Sequence, residues 1–218
     1  MIGLVLAAGG SGSRFGAAIP KQFLPLSGVP LYMRSLSAFE RCVDVAVIVT
    51  PAEWAERVRE ETSALWGGGK VSVEVGGPER QDSVWRGLCR LPSEVDLVLV
   101  HDAARPFVSV RLIRSVIERA KLDGACIPGL PVAETVKEVE AGRVSATLDR
   151  SRLVLVQTPQ GFRRDLLMEA FQKAAGQAFY GTDESMLLER IGVPVAVVEG
   201  EPGNIKVTHK EDLETPHD

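Results

Sequence analysis

Cysteine is scarce in this sequence, and the three cysteines that occur are widely spaced. An odd number without paired spacing supports neither a disulfide framework nor a zinc site. Thiols without a partner suit a reducing compartment, so we expect a cytoplasmic protein. Histidine is equally scarce. His101, His209 and His217 match no metal-ligand or catalytic-triad spacing, and we assign them no role.

Long hydrophobic runs and an excess of basic residues are also lacking. No run reaches transmembrane length, and the first residues lack the basic region with which a signal peptide begins. We therefore expect neither a transmembrane helix nor a signal peptide. The chain has 25 Lys and Arg against 29 Asp and Glu, a formal net charge of −4. Nucleic-acid binding needs a basic face, so we expect no such partner, and any phosphate site must be a local basic cluster.

What is present is a regular alternation of secondary-structure signals. Short β-branched runs without polar alternation predict strands that helices cover on both faces. Between them, sets such as Val84, Leu88 and Leu91 have helical spacing. The alternation predicts an α/β fold, a Rossmann-like, mostly parallel sheet flanked by helices, in one domain over residues 1–218. The predicted strands are residues 2–7, 43–50, 71–75, 97–100, 153–157 and 193–199.

The alternation breaks at residues 131–152. Two runs of mixed polarity, residues 134–139 and 143–148, flank Glu-Ala-Gly and predict a β-hairpin. Its length and polarity are typical of a projecting arm rather than of a central strand pair. The exposed edges of such an arm invite a partner.

The most informative segment is Leu-Val-Leu-Ala-Ala-Gly-Gly-Ser-Gly-Ser-Arg-Phe-Gly, residues 4–16, followed by Pro-Lys-Gln at residues 20–22. A buried strand leads into a loop with almost no side chains, whose backbone N–H groups can approach phosphate oxygens closely. Arg14 and Lys21 add two positive charges. Ligands of open α/β sheets bind at this edge, so the segment predicts a phosphate site. The alternative is a flexible turn with two solvated cations.

Spacing weakens two other phosphate-loop interpretations. A Walker A loop requires Gly-Lys-Ser/Thr, whereas proline precedes Lys21 and glutamine follows it. A dinucleotide fingerprint requires G-x-G-x-x-G, whereas Gly10, Gly12 and Gly16 include one residue too many. It also needs an acidic residue after the second strand, where this chain has Thr50. A dehydrogenase is therefore the weaker interpretation.

Two later segments are candidates for metal and base binding. Asp102 follows a predicted strand, and a carboxylate there can hold Mg²⁺ that also binds triphosphate oxygens. The alternative is an ion pair with Arg105. Gly76 and Gly77 would bring bare backbone against a flat base, with Ser83 close behind. Alternatively, Ser83 or its neighbour only caps the next helix.

The glycine loop with its Arg and Pro-Lys resembles the signature of nucleotidyltransferases that activate sugars and alditol phosphates. Further segments are similar, in order and spacing, to the 2-C-methyl-D-erythritol 4-phosphate cytidylyltransferase family, so the resemblance covers essentially the whole chain. These segments are residues 76–84, 100–106, 157–160, 182–184 and 204–208.

The resemblance implies transfer of CMP from CTP to 2-C-methyl-D-erythritol 4-phosphate, with Mg²⁺ or another divalent cation held by Asp102. It implies a homodimer whose arm helps to complete the partner's acceptor site. The implied catalytic residues are Arg14, Lys21, Arg150 and Lys206. The implied nucleotide-binding residues are Ala7, Ala8, Gly9, Gly10, Gly12, Gly76, Gly77, Ser83 and Ala103. The implied acceptor-binding residues are Arg105, Thr135, Arg150, Thr158, Thr182 and Lys206.

Two alternatives stay open. One is a cytidylyltransferase for ribitol 5-phosphate or another small polyol phosphate, and the other is a catalytically silent nucleotide-binding module. The lack of a His or Cys constellation agrees with an enzyme of this type, because an anionic phosphate nucleophile needs no strong general base.

Overall fold

The computed structural model of the chain describes residues 1–9, 19–209 and 211–213. The strands are β1 (Ile2–Ala7), β2 (Pro25–Leu26), β3 (Val29–Pro30), β4 (Val45–Thr50), β5 (Val71–Val75), β6 (Leu97–Asp102), β7 (Ala125–Pro131), β8 (Lys137–Glu140), β9 (Arg143–Thr147), β10 (Val154–Val156), β11 (Gln160–Arg163) and β12 (Ala196–Glu199). The helices are α1 (Leu31–Phe39), α2 (Ala52–Thr62), α3 (Arg80–Arg90), α4 (Val110–Asp123), α5 (Arg164–Gly176) and α6 (Glu184–Arg190).

The central sheet is mostly parallel. Strands β5, β4, β1 and β6 are parallel neighbours in that order. Strand β11 is antiparallel to both β6 and β7, while β12 is parallel to β7 and β10 is antiparallel to it. The predicted fold class is therefore confirmed.

Helices cover both faces of this sheet because successive side chains of a strand point to opposite sides. Leu4 and Leu6 of β1 belong to one apolar cluster, which includes residues of α1 and α4. Val5 belongs to a second cluster, with residues of α3 and α5. All three side chains are fully buried, which fixes the strand that leads into the glycine loop. In the described residues, every helix is too short or too polar to cross a bilayer.

The predicted hairpin is β8–β9, a separate two-stranded sheet in which Glu140 pairs with Arg143. Its turn residues Ala141 and Gly142 have φ angles of 49° and 75°, the pattern of a two-residue hairpin turn that matches strand twist. All four residues of β8 are exposed. The hairpin thus buries little against its own chain.

Candidate active site

The ends of β1, β4, β5 and β6 meet at the carboxyl edge of the sheet. Ala7 pairs in register with Asp102, and the Ala103 amide donates to the Ala7 carbonyl at 3.0 Å. The Ala8 amide donates to β4 at 2.7 Å, and the Gly76 amide donates to the end of the same strand at 2.9 Å. The structure therefore brings the β1, β5 and β6 candidates together. Three predicted residues, Gly10, Gly12 and Arg14, lie outside the described residues.

Gln22 ties the Pro-Lys-Gln segment to the first strand. Its side-chain amide is buried and donates to the Ala8 carbonyl at 2.6 Å. Lys21, the preceding residue, begins a short 3₁₀ helix and is partly buried. No role was predicted for Gln22, although its place beside Lys21 in the signature segment is the signal that could have identified it.

Ser83 organises the glycine pair after β5. Its hydroxyl accepts the Gly77 amide at 3.0 Å and donates to the Glu79 carbonyl at 3.1 Å. A Cβ on Gly77 would lie 2.4 Å from the Cβ of Asp82, and one on Gly76 would lie 2.8 Å from the Ser83 hydroxyl. Only glycine fits at both positions without a shift, because an added Cβ would meet the first turn of α3.

Ser83 is not the cap of α3. Glu79 is the N-cap residue and forms a reciprocal capping box with Asp82, whose carboxylate accepts the Glu79 amide at 3.2 Å. The capping alternative is therefore wrong for Ser83, which lies inside the helix, while Asp82 takes part in the cap. Ser83 does not cap the helix, and its hydroxyl accepts the Gly77 amide instead.

Asp102 lies between two cations. Its Oδ2 is 2.6 Å from Nζ of Lys206, and its Oδ1 accepts a hydrogen bond from Nε of Arg80 at 3.3 Å. Burial opposes ionisation of this carboxyl group, yet Arg80 and Lys206 hold its pKa well below the usual range. The alternative ion pair with Arg105 is not formed, because the Arg105 guanidinium donates to the Asn204 carbonyl at 2.8 Å.

Arg80 is anchored on its other side by a buried carboxylate. Its Nη1 and Nη2 donate to Oε1 and Oε2 of Glu184 at 2.8 and 3.0 Å. Glu184 is 1% exposed. Burial opposes the positive charge, but the two carboxylates raise the pKa of Arg80 above its ordinary value. Sequence analysis assigned neither residue a role.

His101 links the Asp102 strand to Thr158. Its Nε2 is 3.1 Å from the Arg105 carbonyl, and its Nδ1 is 3.0 Å from the Thr158 hydroxyl. A carbonyl can only accept, so we assign the proton to Nε2, and Thr158 then donates to Nδ1. The Thr158 oxygen also accepts the Asp102 amide at 3.1 Å. Burial lowers the pKa of His101 to about 4, so the ring is neutral at pH 7.

Asn204 gathers three predicted acceptor residues. Its side-chain amide donates to the Thr158 carbonyl at 2.8 Å, and its own carbonyl accepts from Arg105. Lys206 follows two residues later and reaches Asp102. Asn204 is fully buried. The 204–208 segment is therefore fixed against the end of β6, which brings Arg105, Thr158 and Lys206 to one place.

The other predicted acceptor residues, Thr135, Arg150 and Thr182, have no described hydrogen bond to Arg105, Thr158 or Lys206. Thr135 and Arg150 are exposed, and the Arg150 guanidinium donates to the Ala133 carbonyl within the arm. Within the described part of the chain, neither bonds to Asp102 or Lys206. Thr182 is exposed and directly precedes the cap of α6, two residues before Glu184.

The residues present fit a divalent cation that arrives with a nucleotide. Mg²⁺ is commonly held by one or two carboxylates together with substrate phosphates. Asp102 is ionised and lies at the edge where phosphates would bind. Among the described residues no group of three His, Cys, Asp or Glu side chains could form a closed protein cage. Asp102 would thus supply a single ligand.

The chain has the features of a nucleotide-binding α/β protein. Glycine backbone, local cations that can neutralise phosphate charge, and one carboxylate lie at the carboxyl edge of a mostly parallel sheet. The comparisons with known proteins make this specific. The chain belongs to the 2-C-methyl-D-erythritol 4-phosphate cytidylyltransferase family, whose sequence profile matches residues 2–217. The predicted family resemblance is therefore confirmed.

Two curated relatives carry the name 2-C-methyl-D-erythritol 4-phosphate cytidylyltransferase. The one from Solibacter usitatus is 42% identical over 99% of this chain and 94% of its own length. The one from Geobacillus kaustophilus is 45% identical over 96% of this chain and 92% of its own. A bifunctional enzyme IspD/IspF from Solidesulfovibrio magneticus is 48% identical over 96% of this chain, which spans 54% of that longer protein.

Solved structures agree with the fold. The 2-C-methyl-D-erythritol 4-phosphate cytidylyltransferase of Francisella tularensis has a TM-score of 0.82 and 32% identity, covering 98% of this chain and 96% of its own. The 4-diphosphocytidyl-2C-methyl-D-erythritol synthase of Anaerococcus prevotii has a TM-score of 0.86 and 28% identity, covering 98% and 94%.

Proposed function

We infer that the chain transfers CMP from CTP to 2-C-methyl-D-erythritol 4-phosphate and releases pyrophosphate, a step of the non-mevalonate route to isoprenoid precursors. The observation that carries this inference is the family match over residues 2–217. The paired carboxylate and glycine backbone at the sheet edge are consistent with it. We place the reaction in the cytoplasm and treat the chain as one domain, in keeping with its three free cysteines.

In the proposed complex, backbone groups read the nucleotide. The end of β1 and the loop after it, with Ala7, Ala8, Gly9, Gly10 and Gly12, would hold the triphosphate. The cytosine would lie against the second glycine segment, whose backbone packs closely on the first turn of α3. The residues assigned to the base are Gly76, Gly77, Ser83 and Ala103.

The reaction is a direct in-line transfer. An acceptor phosphate oxygen forms a bond to the α-phosphorus of CTP, while the bond from that phosphorus to the pyrophosphate oxygen breaks. The nucleophile is already an anion, so no base is required, and positioning with charge stabilisation supplies the catalysis. Arg14 and Lys21 would stabilise charge at the α-phosphate. A bound divalent cation would neutralise triphosphate charge beside Asp102.

Lys206 and Arg150 would orient the acceptor phosphate, with Arg105, Thr135, Thr158 and Thr182 nearby. Lys206 suits this role because its side chain is 42% exposed although its ammonium group contacts Asp102. An ammonium group on a flexible stem can turn from a carboxylate to a phosphate.

A panel assay tests the activity. Pyrophosphate release should require CTP rather than ATP, GTP or UTP, and it should require 2-C-methyl-D-erythritol 4-phosphate. Comparable turnover with ribitol 5-phosphate would instead identify the sister activity. Binding of CTP without pyrophosphate release with any acceptor would identify a silent module and refute the proposal.

We further propose that the chain forms a homodimer through the arm and the neighbouring rim of the sheet. Apolar side chains are unusually exposed there: Val144 and Leu155 are each 61% exposed, Val139 is 60% and Val197 is 53%. Contiguous exposed apolar surface is typical of an interaction site. Arg150 and Thr135 on the arm would then contribute to the partner's acceptor site.

Mixed dimers test this arrangement. An Arg150→Ala chain mixed with an Arg14→Ala chain gives one site with both residues intact, because the arm and the body come from different chains. Random mixing should restore about a quarter of wild-type activity. Mixing Arg14→Ala with Asp102→Asn is the control and should restore none, because both residues belong to the same body. No recovery in demonstrated Arg150/Arg14 mixed dimers would refute the shared site.

A further inference from the structure

We propose that Arg80 and Glu184 form a positioning pair that holds Oδ1 of Asp102, so that Oδ2 is the oxygen presented to the divalent cation. The inference rests on the proposed metal role of Asp102. Arg80 and Glu184 form the most buried ion pair of the described residues, and no step of the proposed reaction uses them. The positioning role also explains why a carboxylate at a binding edge is already paired.

The anchor of this pair is rigid. Glu184 follows Asp183, whose carboxylate caps α6 and accepts from the side chain of Gln160 on β11 at 2.7 Å. Strand β11 pairs directly with β6, the strand that ends at Asp102. These contacts fix the position of Glu184 relative to Asp102. Its two oxygens then orient the planar guanidinium of Arg80 through two parallel hydrogen bonds.

The two cations on Asp102 differ in what holds them. The Arg80 side chain is 33% exposed and is clamped by Glu184 at the far side of its guanidinium. Lys206 is 42% exposed, and its described ion pair is with Asp102 alone. The geometry thus separates a fixed partner on Oδ1 from an exchangeable partner on Oδ2. When Lys206 turns to the acceptor phosphate, Asp102 keeps its orientation.

The same pair fixes the helix that carries the base-binding segment. Arg80 is the first residue of α3, and Ser83 in the same turn holds the Gly77 amide. Movement of Arg80 would therefore disturb both the metal ligand and the glycine pair. Groups that support a metal ligand from behind typically change metal affinity or activity by about 10–100-fold when they are removed.

Three variants separate positioning from folding. Arg80→Met/Glu184→Leu removes both charges of the pair together, so that Glu184 is not left buried without a partner, and the fold should be preserved. Arg80→Lys keeps the charge but cannot make the forked contact and reach Asp102 as well. Arg164→Lys is the control: Arg164 is a partly buried arginine that donates to the Leu91 carbonyl at the opposite edge of the sheet.

The readouts are thermal unfolding and Mn²⁺ affinity, the latter measured by electron paramagnetic resonance with a non-hydrolysable CTP analogue. Both the double variant and Arg80→Lys should unfold near the wild-type temperature and bind Mn²⁺ about tenfold or more weakly. The Mg²⁺ concentration for half-maximal turnover should rise in parallel, while the acceptor KM at saturating Mg²⁺ should change little. The Arg164→Lys control should match the wild type.

Wild-type Mn²⁺ affinity in a folded double variant would overturn the positioning pair and leave the proposed function intact. An equal loss in Arg164→Lys would overturn it as well, by showing a general effect on the fold. Wild-type turnover independent of divalent cations would instead refute the metal role of Asp102, and the pair's role with it.

Discussion

Acidification should destabilise the protein through one buried histidine. His101 has a native pKa of about 4 because it is fully buried, whereas an ordinary histidine has a pKa near 6.5. Between about pH 4 and pH 6.5, His101 is therefore mainly neutral in the native state and mainly protonated in the unfolded state. The stabilisation is fully present above the unfolded pKa and is lost as pH falls from about 6.5 toward 4. Between pH 7 and pH 5 the free energy of unfolding should fall by about 2 kcal/mol from this group.

The structure explains why His101 resists protonation. A proton on Nδ1 would face the Thr158 hydroxyl, which now donates to that nitrogen and accepts the Asp102 amide. Thr158 would then lose its acceptor and receive two donors. Protonation would thus disturb the carboxylate and the residue proposed to lie near the acceptor phosphate.

Urea unfolding at pH 7 and pH 5, at one protein concentration, measures the effect. The His101→Gln variant keeps an amide donor and acceptor but cannot titrate, so its loss on acidification should be about 2 kcal/mol smaller than that of the wild type. His209→Gln, which replaces an exposed histidine, is the control and should follow the wild type. Equal losses in wild type and His101→Gln would show that His101 does not cause the loss of stability.

Four further substitutions test the site. Arg14→Ala or Lys21→Ala should lower kcat about a hundredfold with an unchanged circular dichroism spectrum, because each removes a preorganised cation from the transition state; near-normal turnover would show a merely solvated side chain. Asp102→Asn should abolish turnover, with partial recovery in excess Mg²⁺, because the amide keeps the shape but not the charge; insensitivity would leave Asp102 a structural ion-pair residue. Gly77→Ala should raise the CTP KM more than about tenfold, because its Cβ would lie 2.4 Å from a side chain of α3. Gly176→Ala, where an added Cβ meets open space, should behave as wild type; an unchanged KM in the Gly77 variant would contradict the close approach.

Local signals predicted most of the sheet but missed β7 and β11. Strand β7 reads Ala-Cys-Ile-Pro-Gly-Leu-Pro, and proline or glycine inside a run argues against a strand. Pairing with β10, β11 and β12 overrides that preference. Gly129 is needed for close packing, because its Cβ would lie 2.8 Å from Val154. Such a requirement is visible only once the neighbouring strands are placed.

A site residue that directly follows a buried strand could be predicted from the sequence. Residues that meet only through contacts between distant parts of the chain could not. Asp102 stands out because it ends a buried strand. Glu184 and Arg80 are 104 positions apart, so each alone resembles a solvated charge. His101 fits no metal-ligand or catalytic-triad spacing, and its partner Thr158 lies 57 positions away. The available signal was indirect, because Asp102, Glu184, Arg80 and His101 all belong to segments that carry the family resemblance.

The span of the Arg80–Glu184 contact has a consequence for the order of folding. Residues 104 positions apart can meet only after most of the sheet has assembled, because closing so long a loop is entropically costly until other contacts offset it. During synthesis, Arg80 leaves the ribosome well before its carboxylate partner exists. The electrostatic centre of the site is therefore completed late, after the hydrophobic strands that support it. A nascent chain that ends before α6 would lack Glu184, the carboxylate that holds Arg80 beside Asp102.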